Sequence, residues 1–190
     1  MGDTVAKSLP LADIVLAEIV TEETTPVTYK FKTASECKLS PKLSKGKEKI
    51  LRIKNTIHSK SKTKDICIGM DLTLKDNVFT PDVFALVDGG TITYDKGNSE
   101  KFTYEAPQTG KEVKRTKFKL NLYTAKKDSA GEITGYVKLS YPHCEGTPVS
   151  FNLKDEDFMV PQMKIESAPG MGESPYSIEY LALDELTIPA

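Results

Sequence analysis

The chain has 190 residues, 38% of them hydrophobic and 28% charged, which suits one folded domain (1-190) with a substantial core and excludes wholesale disorder. Its 26 basic and 27 acidic side chains leave a net charge of -1, so no global attraction to nucleic acid or membrane is implied. Partners must be read from local patches.

The opening segment, MGDTVAKSLPLADIVLAEIV, has no basic lead, and its apolar run is interrupted by Asp13 and Glu18. Ala6 stands where a myristoylation signal needs Ser or Thr. Neither a signal peptide nor a membrane span is expected, and synthesis in a cytoplasm is the simplest reading. Cys37, Cys67 and Cys144 are odd in number and widely spaced, which fits reduced thiols and not a disulfide framework.

From there the period is two almost throughout. Val27, Tyr29 and Phe31 alternate with Thr28, Lys30 and Lys32 and predict the first half-buried strand. The stretch LRIKNTIHSKSKTKDICIGMDLTLKD, 51–76, then predicts a long β-hairpin arm, about 48–75, whose turn is the basic run SKSKTK. With Ile57 facing Ile66, Ile53 meets Met70 and Leu51 meets Leu72, while Glu48 meets Lys75, Arg52 meets Asp71 and His58 meets Asp65. Leu51, Ile53, Ile57, Ile66, Ile68, Met70, Leu72 and Leu74 form a stripe expected to be buried in an assembled state. Strands of ten residues would extend roughly 33 Å, too long for an isolated hairpin, so the stripe needs a partner sheet, part of which is expected from another copy. The basic run contains no Asn-Gly or Asp-Gly, so no tight turn is signalled at its end.

The segment TPDVFALVDGG, 80–90, breaks the alternation. Thr80 as N-cap, Pro81 at the first helical position, Asp82 near the positive end of the dipole and Gly89 as a stop predict a short helix over about 80–88. Val83, Phe84 and Val87 lie on one side of it and are expected to pack on the sheet. Strands follow at Phe118, Leu120 and Leu122; at Ile133, Val137, Leu139 and Tyr141; at Val149, Phe151 and Leu153; and at Ile178, Tyr180 and Ala182. Glycines punctuate the connections, and 168–175, APGMGESP, is the longest expected loop. The fold class is mainly β: an antiparallel sandwich or rolled barrel with one short flanking helix and a long hairpin arm.

Charge is neutral by cancellation. Residues 45–64 hold eight Lys or Arg and one Glu, +7, whereas 155–190 hold eight Asp or Glu and one Lys, -7. Placed at opposite ends of the molecule, these segments would attract copies head to tail, an arrangement that closes into rings or runs on as filaments. Alternatively both are solvated surface, or they neutralise each other inside one subunit. On the first reading Lys60, Lys62 and Lys64 dock against Glu173, Glu179, Asp184 and Glu185 of a neighbouring copy.

Chemistry is sparse. His58 and His143 are the only histidines and no Cys-x-x-Cys spacing occurs, so no metal site is visible. The adjacent His143 and Cys144 point to opposite faces if they lie in a strand, which argues against a nucleophile pair. No serine-hydrolase elbow, phosphate loop or dinucleotide fingerprint appears, and Asp155–Asp157 lacks the spacing of a calcium loop. No catalytic residue, cofactor or enzymatic activity is expected.

In layout, GMDLTLKDNVFTPDVFALVDGG, 69–90, with the long arm before it and a strand-rich half after it, resembles the major tail tube proteins of tailed bacteriophages. PVSFNLKDEDFMVP, 148–161, is a weaker echo of a strand, acidic turn and late aromatic in such proteins. The resemblance implies a virion tail subunit that self-assembles into hexameric rings stacked as a hollow tube, with DNA as transient cargo and other tail components as further partners. It also implies a lumen lined by a continuous barrel of arm strands. By parity the lumen candidates are Glu48, Arg52, Lys54, Asp65, Asp71 and Lys75, a mixed-sign lining where a DNA channel is expected to be acidic or neutral. A phage-derived injection device fits the same sequence. The rival class is a monomeric surface or carbohydrate-binding β-sandwich with the arm as a binding loop, against which the absence of Trp counts.

Overall fold

The computed structural model describes residues 8–189; Ala6, read above against a lipidation signal, lies outside them. The chain is mainly antiparallel β with one short helix, and its principal sheet does not close into a barrel. Strands β1 (Leu11–Thr21), β2 (Thr28–Phe31), β3 (Ala34–Ser44), β4 (Glu48–Ile53), β5 (Thr56–Lys62) and β6 (Ile66–Asp76) precede helix α1 (Pro81–Asp88). After it come β7 (Thr91–Asp95), β8 (Asn98–Glu105), β9 (Phe118–Lys127), β10 (Ile133–Gly146), β11 (Gln162–Ser167) and β12 (Ser177–Leu181).

The large sheet runs β2-β1-β9-β10-β11-β6-β3, and β12 pairs with the first part of β10. Strand β10 serves both halves because it bends: its register with β9 shifts between Tyr141 and Cys144, where Pro142 and a left-handed His143 (φ 49°) turn the chain. The bend brings the inner faces together. Ala17 and Ile19 of β1 and Phe118, Leu120 and Leu122 of β9 share a core with Met70, Leu72 and Leu74 of β6 and Met163 and Ile165 of β11. Period-two alternation produces those stripes, and Val83 and Val87 of α1 cover the same core.

Helix α1 stops at Gly89, whose φ of 84° is the left-handed conformation that a side chain would strain. Thr80 stands at the N-cap, yet its hydroxyl donates to Asp76 Oδ2 (3.3 Å) and caps no helical N–H. Pro81 and the Thr80 carbonyl, which accepts from Phe84 N at 2.9 Å, start the helix. The expected strand at Val149, Phe151 and Leu153 is a loop with a single bridge, Ser150 to Gln162. Val149 packs against the core and Phe151 sets its ring edge-on to Phe84 at 6.2 Å, but Phe151 and Leu153 stay exposed, so alternation there had no second layer to bury it.

The arm is where the expected register fails. The chain reverses at Lys54 and Asn55, in a two-residue turn with Lys54 at φ 53°, and not at SKSKTK, which lies largely within β5. Strand β4 pairs with β5 (Glu48 with Lys62, Ile53 with Thr56), and β6 pairs with β3 (Ser44 with Ile66, Ala34 with Asp76). Thus Ile57 faces Arg52, Leu72 faces Leu39, and none of the pairs Glu48–Lys75, Arg52–Asp71 or His58–Asp65 forms. Met70, Leu72 and Leu74 gain their burial from β3 and β11, and the arm runs from Ala34 to Asp76, longer than its expected bounds.

Asp88 joins three segments at the helix end: one carboxylate oxygen accepts from Tyr104 of β8, the other from Val149 N at 2.8 Å. Asp88→Ala leaves both donors unpaired in a site that is 8% exposed, at a cost of about 1–3 kcal/mol. Thermal unfolding should show a melting temperature lower by about 2–4 °C for each kcal/mol lost; an unchanged midpoint would mean the junction bears no load.

Candidate functional site

The arm has a root and a projecting half with different environments. At the root, β6 is flanked by β3 and β11, so its inward residues enter the core and its outward ones form a polar face. That face carries Glu36, Lys38, Lys42, Asp71, Lys75, Lys164 and Glu166. Lys75 and Lys38 hold Glu36 below the usual carboxylate range, first by hydrogen bonding, and Lys42 reaches Glu166 at 2.6 Å. Four cations against three carboxylates make a nearly balanced surface. Asp71 and Lys75 were expected on it; Glu36, Lys38 and Lys42 were missed, although the alternation of Cys37, Leu39 and Leu43 with lysines was there to be read.

Beyond Ser44 the hairpin leaves the body, and every residue of β4 and β5 is exposed. Backbone and side-chain bonds hold the strands together across the break: Thr63 N donates to Lys47 O (3.1 Å), Lys47 N to Thr63 Oγ1 (2.8 Å) and Gly46 N to Asp65 Oδ1 (2.9 Å). Asp65 therefore fastens the break and does not stand in a ladder. Paired residues share a face, so Lys49, Leu51 and Ile53 lie with Ser61, Ser59 and Thr56, whereas Glu48, Ile50 and Arg52 lie with Lys62, Lys60 and Ile57. The first face carries two large aliphatics toward the turn, over small hydroxyl residues, and Lys49 at the end nearer the break. On the second, Lys60 pairs with Glu48 at 2.7 Å, so a residue expected to meet another copy is satisfied within its own hairpin. Leu51, Ile53, Ile57, Ile66 and Ile68 of the apolar set are 48–66% exposed in the single chain.

The acidic candidates lie elsewhere. Glu173 accepts from Gly170 N (2.7 Å) and faces His143 Nε2 (3.3 Å), Glu179 meets Lys138 (3.7 Å), Glu185 accepts from Ala182 N (2.6 Å), and Asp184 is exposed. Among the described residues no ion pair joins 45–64 to 155–190, so the two charged segments do not neutralise each other by direct pairing within the subunit. At the arm root lies an apolar groove of about 530 Å³. Ile66, Cys67 and Ile68 form one wall, and Pro169, Met171 and Pro175 of the β11–β12 loop form the other, with Glu173 at its edge.

The adjacent His143 and Cys144 point to different partners and do not face each other. His143 Nδ1 is 2.6 Å from Glu22, and Cys144 Sγ turns inward toward Tyr141 O. Burial pushes the Cys144 and Cys37 thiols up to about 12. No cluster of three metal-binding side chains occurs among the described residues, Asp155–Asp157 is an exposed turn, and no described helix is long and apolar enough to cross a membrane.

No family model and no curated protein matches the chain. Among solved structures it is similar to a chain in the cryo-EM structure of the anti-feeding prophage baseplate, 6-fold symmetrised, with 10% identity over 96% of this chain and 99% of that one and a TM-score of 0.40. It is also similar to a chain in the cryo-EM structure of the anti-feeding prophage cap, the tube terminating cap, with 13% identity over 93% and 95% and a TM-score of 0.39. Likeness at these scores is too low to argue from.

The thiols offer a direct check on the groove. Cys67 is exposed, Cys37 is half-buried with its thiol held protonated by burial, and Cys144 is buried. Alkylation at pH 8 should label one thiol per native chain quickly, at Cys67, and the other two only on unfolding. Fast labelling of Cys144 would contradict the packing at the β10 bend.

Proposed function

We propose that the chain is a structural subunit that self-assembles through its arm into stacked, hexameric rings, forming a hollow tail tube through which phage DNA passes. The observation that carries this reading is the projecting hairpin, exposed on every residue of both strands yet bearing Ile50, Leu51, Ile53 and Ile57. A lone two-stranded hairpin is marginal in water, so an apolar one of this length is suited to a partner layer that its own chain does not supply. Strand β3 adds a second reason. It ends the sheet and offers an edge to which a neighbour's strand can pair, regular between the irregularities at Ala34–Glu36 and Lys42–Leu43 and interrupted where Pro41 lacks an N–H.

In this reading the polar root face, with Asp71 and Lys75, lines the channel beside Glu48 and Arg52 of the charged tip face. Its near balance of charge leaves phosphates little to cling to. Lys54 projects at the turn. Lys62 and Lys64, which form no ion pair among the described residues, meet Glu173, Glu179, Asp184 and Glu185 of the next ring, while Lys60 steadies the hairpin through Glu48. Other tail components would cap the stack, and the particle would be a virion or a related injection device.

Negative-stain microscopy of the concentrated chain at low salt should show rings or tubes. Lys62→Glu with Lys64→Glu should slow tube growth, followed by light scattering, and reversing the four acids to Lys in the same chain should partly restore it. Raised salt should weaken the wild-type response, since the screening length falls to about 8 Å near physiological ionic strength. Compact monomers at every concentration would favour a monomeric binding module.

A further inference from the structure

The function proposed above leaves open what covers the apolar groove beside the arm root. We propose that it is the docking site for the arm tip of a second copy, with the Leu51–Ile53 ridge of one chain seated between Ile66, Ile68 and Met171 of the next. The inference rests on the assembly reading and adds to it a defined socket and plug.

Three observations select this occupant. The socket is apolar and open: Ile66 and Ile68 are 66% and 48% exposed, and Met171 on the opposite wall is fully exposed. The plug is apolar at its end: the cross-strand neighbours of Leu51 and Ile53 are the small Ser59 and Thr56, which leaves the two aliphatics standing proud, and the charged residue on that face, Lys49, lies nearer the break. The charges agree: the tip lies within the +7 segment, and the loop that walls the groove lies within the -7 segment, with Glu173 at the rim.

The chain's own tip cannot fill its own groove. The turn at Lys54 lies ten residues beyond the Ser44–Ile66 pair, which at about 3.3 Å per residue places it up to roughly 33 Å away. The bonds across the break at Lys47 and Thr63 keep the two strands together and prevent the tip from folding back singly. The plug therefore belongs to another copy. Since the same chain carries plug and socket at different places, the contact is head to tail and propagates.

Cys67 lies in the groove wall and makes the test direct. Chains carrying Ile53→Cys are concentrated under tube-forming conditions, oxidised, and run on a non-reducing gel. The expected result is a disulfide-linked ladder that disappears when Cys67→Ser is added to the same chain. Mixing an Ile53→Cys, Cys67→Ser chain with the wild type should give a linked pair, in which the thiol introduced at the tip of one chain is bonded to Cys67 of the other. Separately, Met171→Asp, at a fully exposed position where folding is not at stake, should slow assembly at least tenfold. Tubes that form without this disulfide, and that Met171→Asp leaves unaffected, overturn the socket while the tube function stands. Failure of the unmodified chain to assemble at any concentration overturns both.

Discussion

The double pairing of β6, with β3 on one side and β11 on the other, is the constraint on which the rest of the structure depends. It buries Met70, Leu72 and Leu74 at 7% exposure or less and so locks the root of the arm into the core. Burying each such side chain is worth about 1.5–3 kcal/mol, several times what an exposed ion pair contributes. Register is therefore set at the root, and the projecting hairpin inherits it. Because β11 ends at Ser167, the start of β6 loses its second neighbour just where Ile66 and Ile68 begin, and the groove is the consequence.

The same constraint separates the charges. The hairpin β4–β5 pairs with no strand of the large sheet and is exposed throughout, so the basic segment 45–64 extends beyond the body, while β11 and β12 of the acidic segment 155–190 pair within the sheet. Opposite charges held apart in one chain remain available to other chains, and in the proposed assembly the exposed aliphatics at both ends of the arm would supply the short-range part of the contact. Electrostatics of this kind guides orientation and rate; apolar burial at the socket would supply most of the binding.

Much of the architecture was legible in the sequence. Alternation marked β2, β9, β10 and β12, and Pro81 with Gly89 bracketed α1, because in each case a local rule and the tertiary environment agree. The arm register was not legible. Pairing Ile57 with Ile66 satisfied three charge pairs, but exposed pairs, worth about a few tenths of a kcal/mol each, cannot outweigh the burial that β3 and β11 provide from outside the arm's own sequence. Strand β3 was passed over, since the expected arm began only at about 48; its lysines and Pro41 are features that an edge strand tolerates. Strand β1 escaped because bulges near Asp13, at φ 59°, break its period. The tip turn carries Lys54 in place of the usual glycine, and the socket depends on a loop that no local pattern places near β6.

In the proposed assembly the projecting hairpin acquires its partner layer from other copies. Hydrogen exchange of the amides in 48–62, compared between dilute and concentrated protein, tests it most directly. Slowing of these amides on concentration, with those of β9 unchanged, is the predicted result. Equally fast exchange at all concentrations, in particles that nonetheless form, would place the subunit contacts elsewhere and contradict the account.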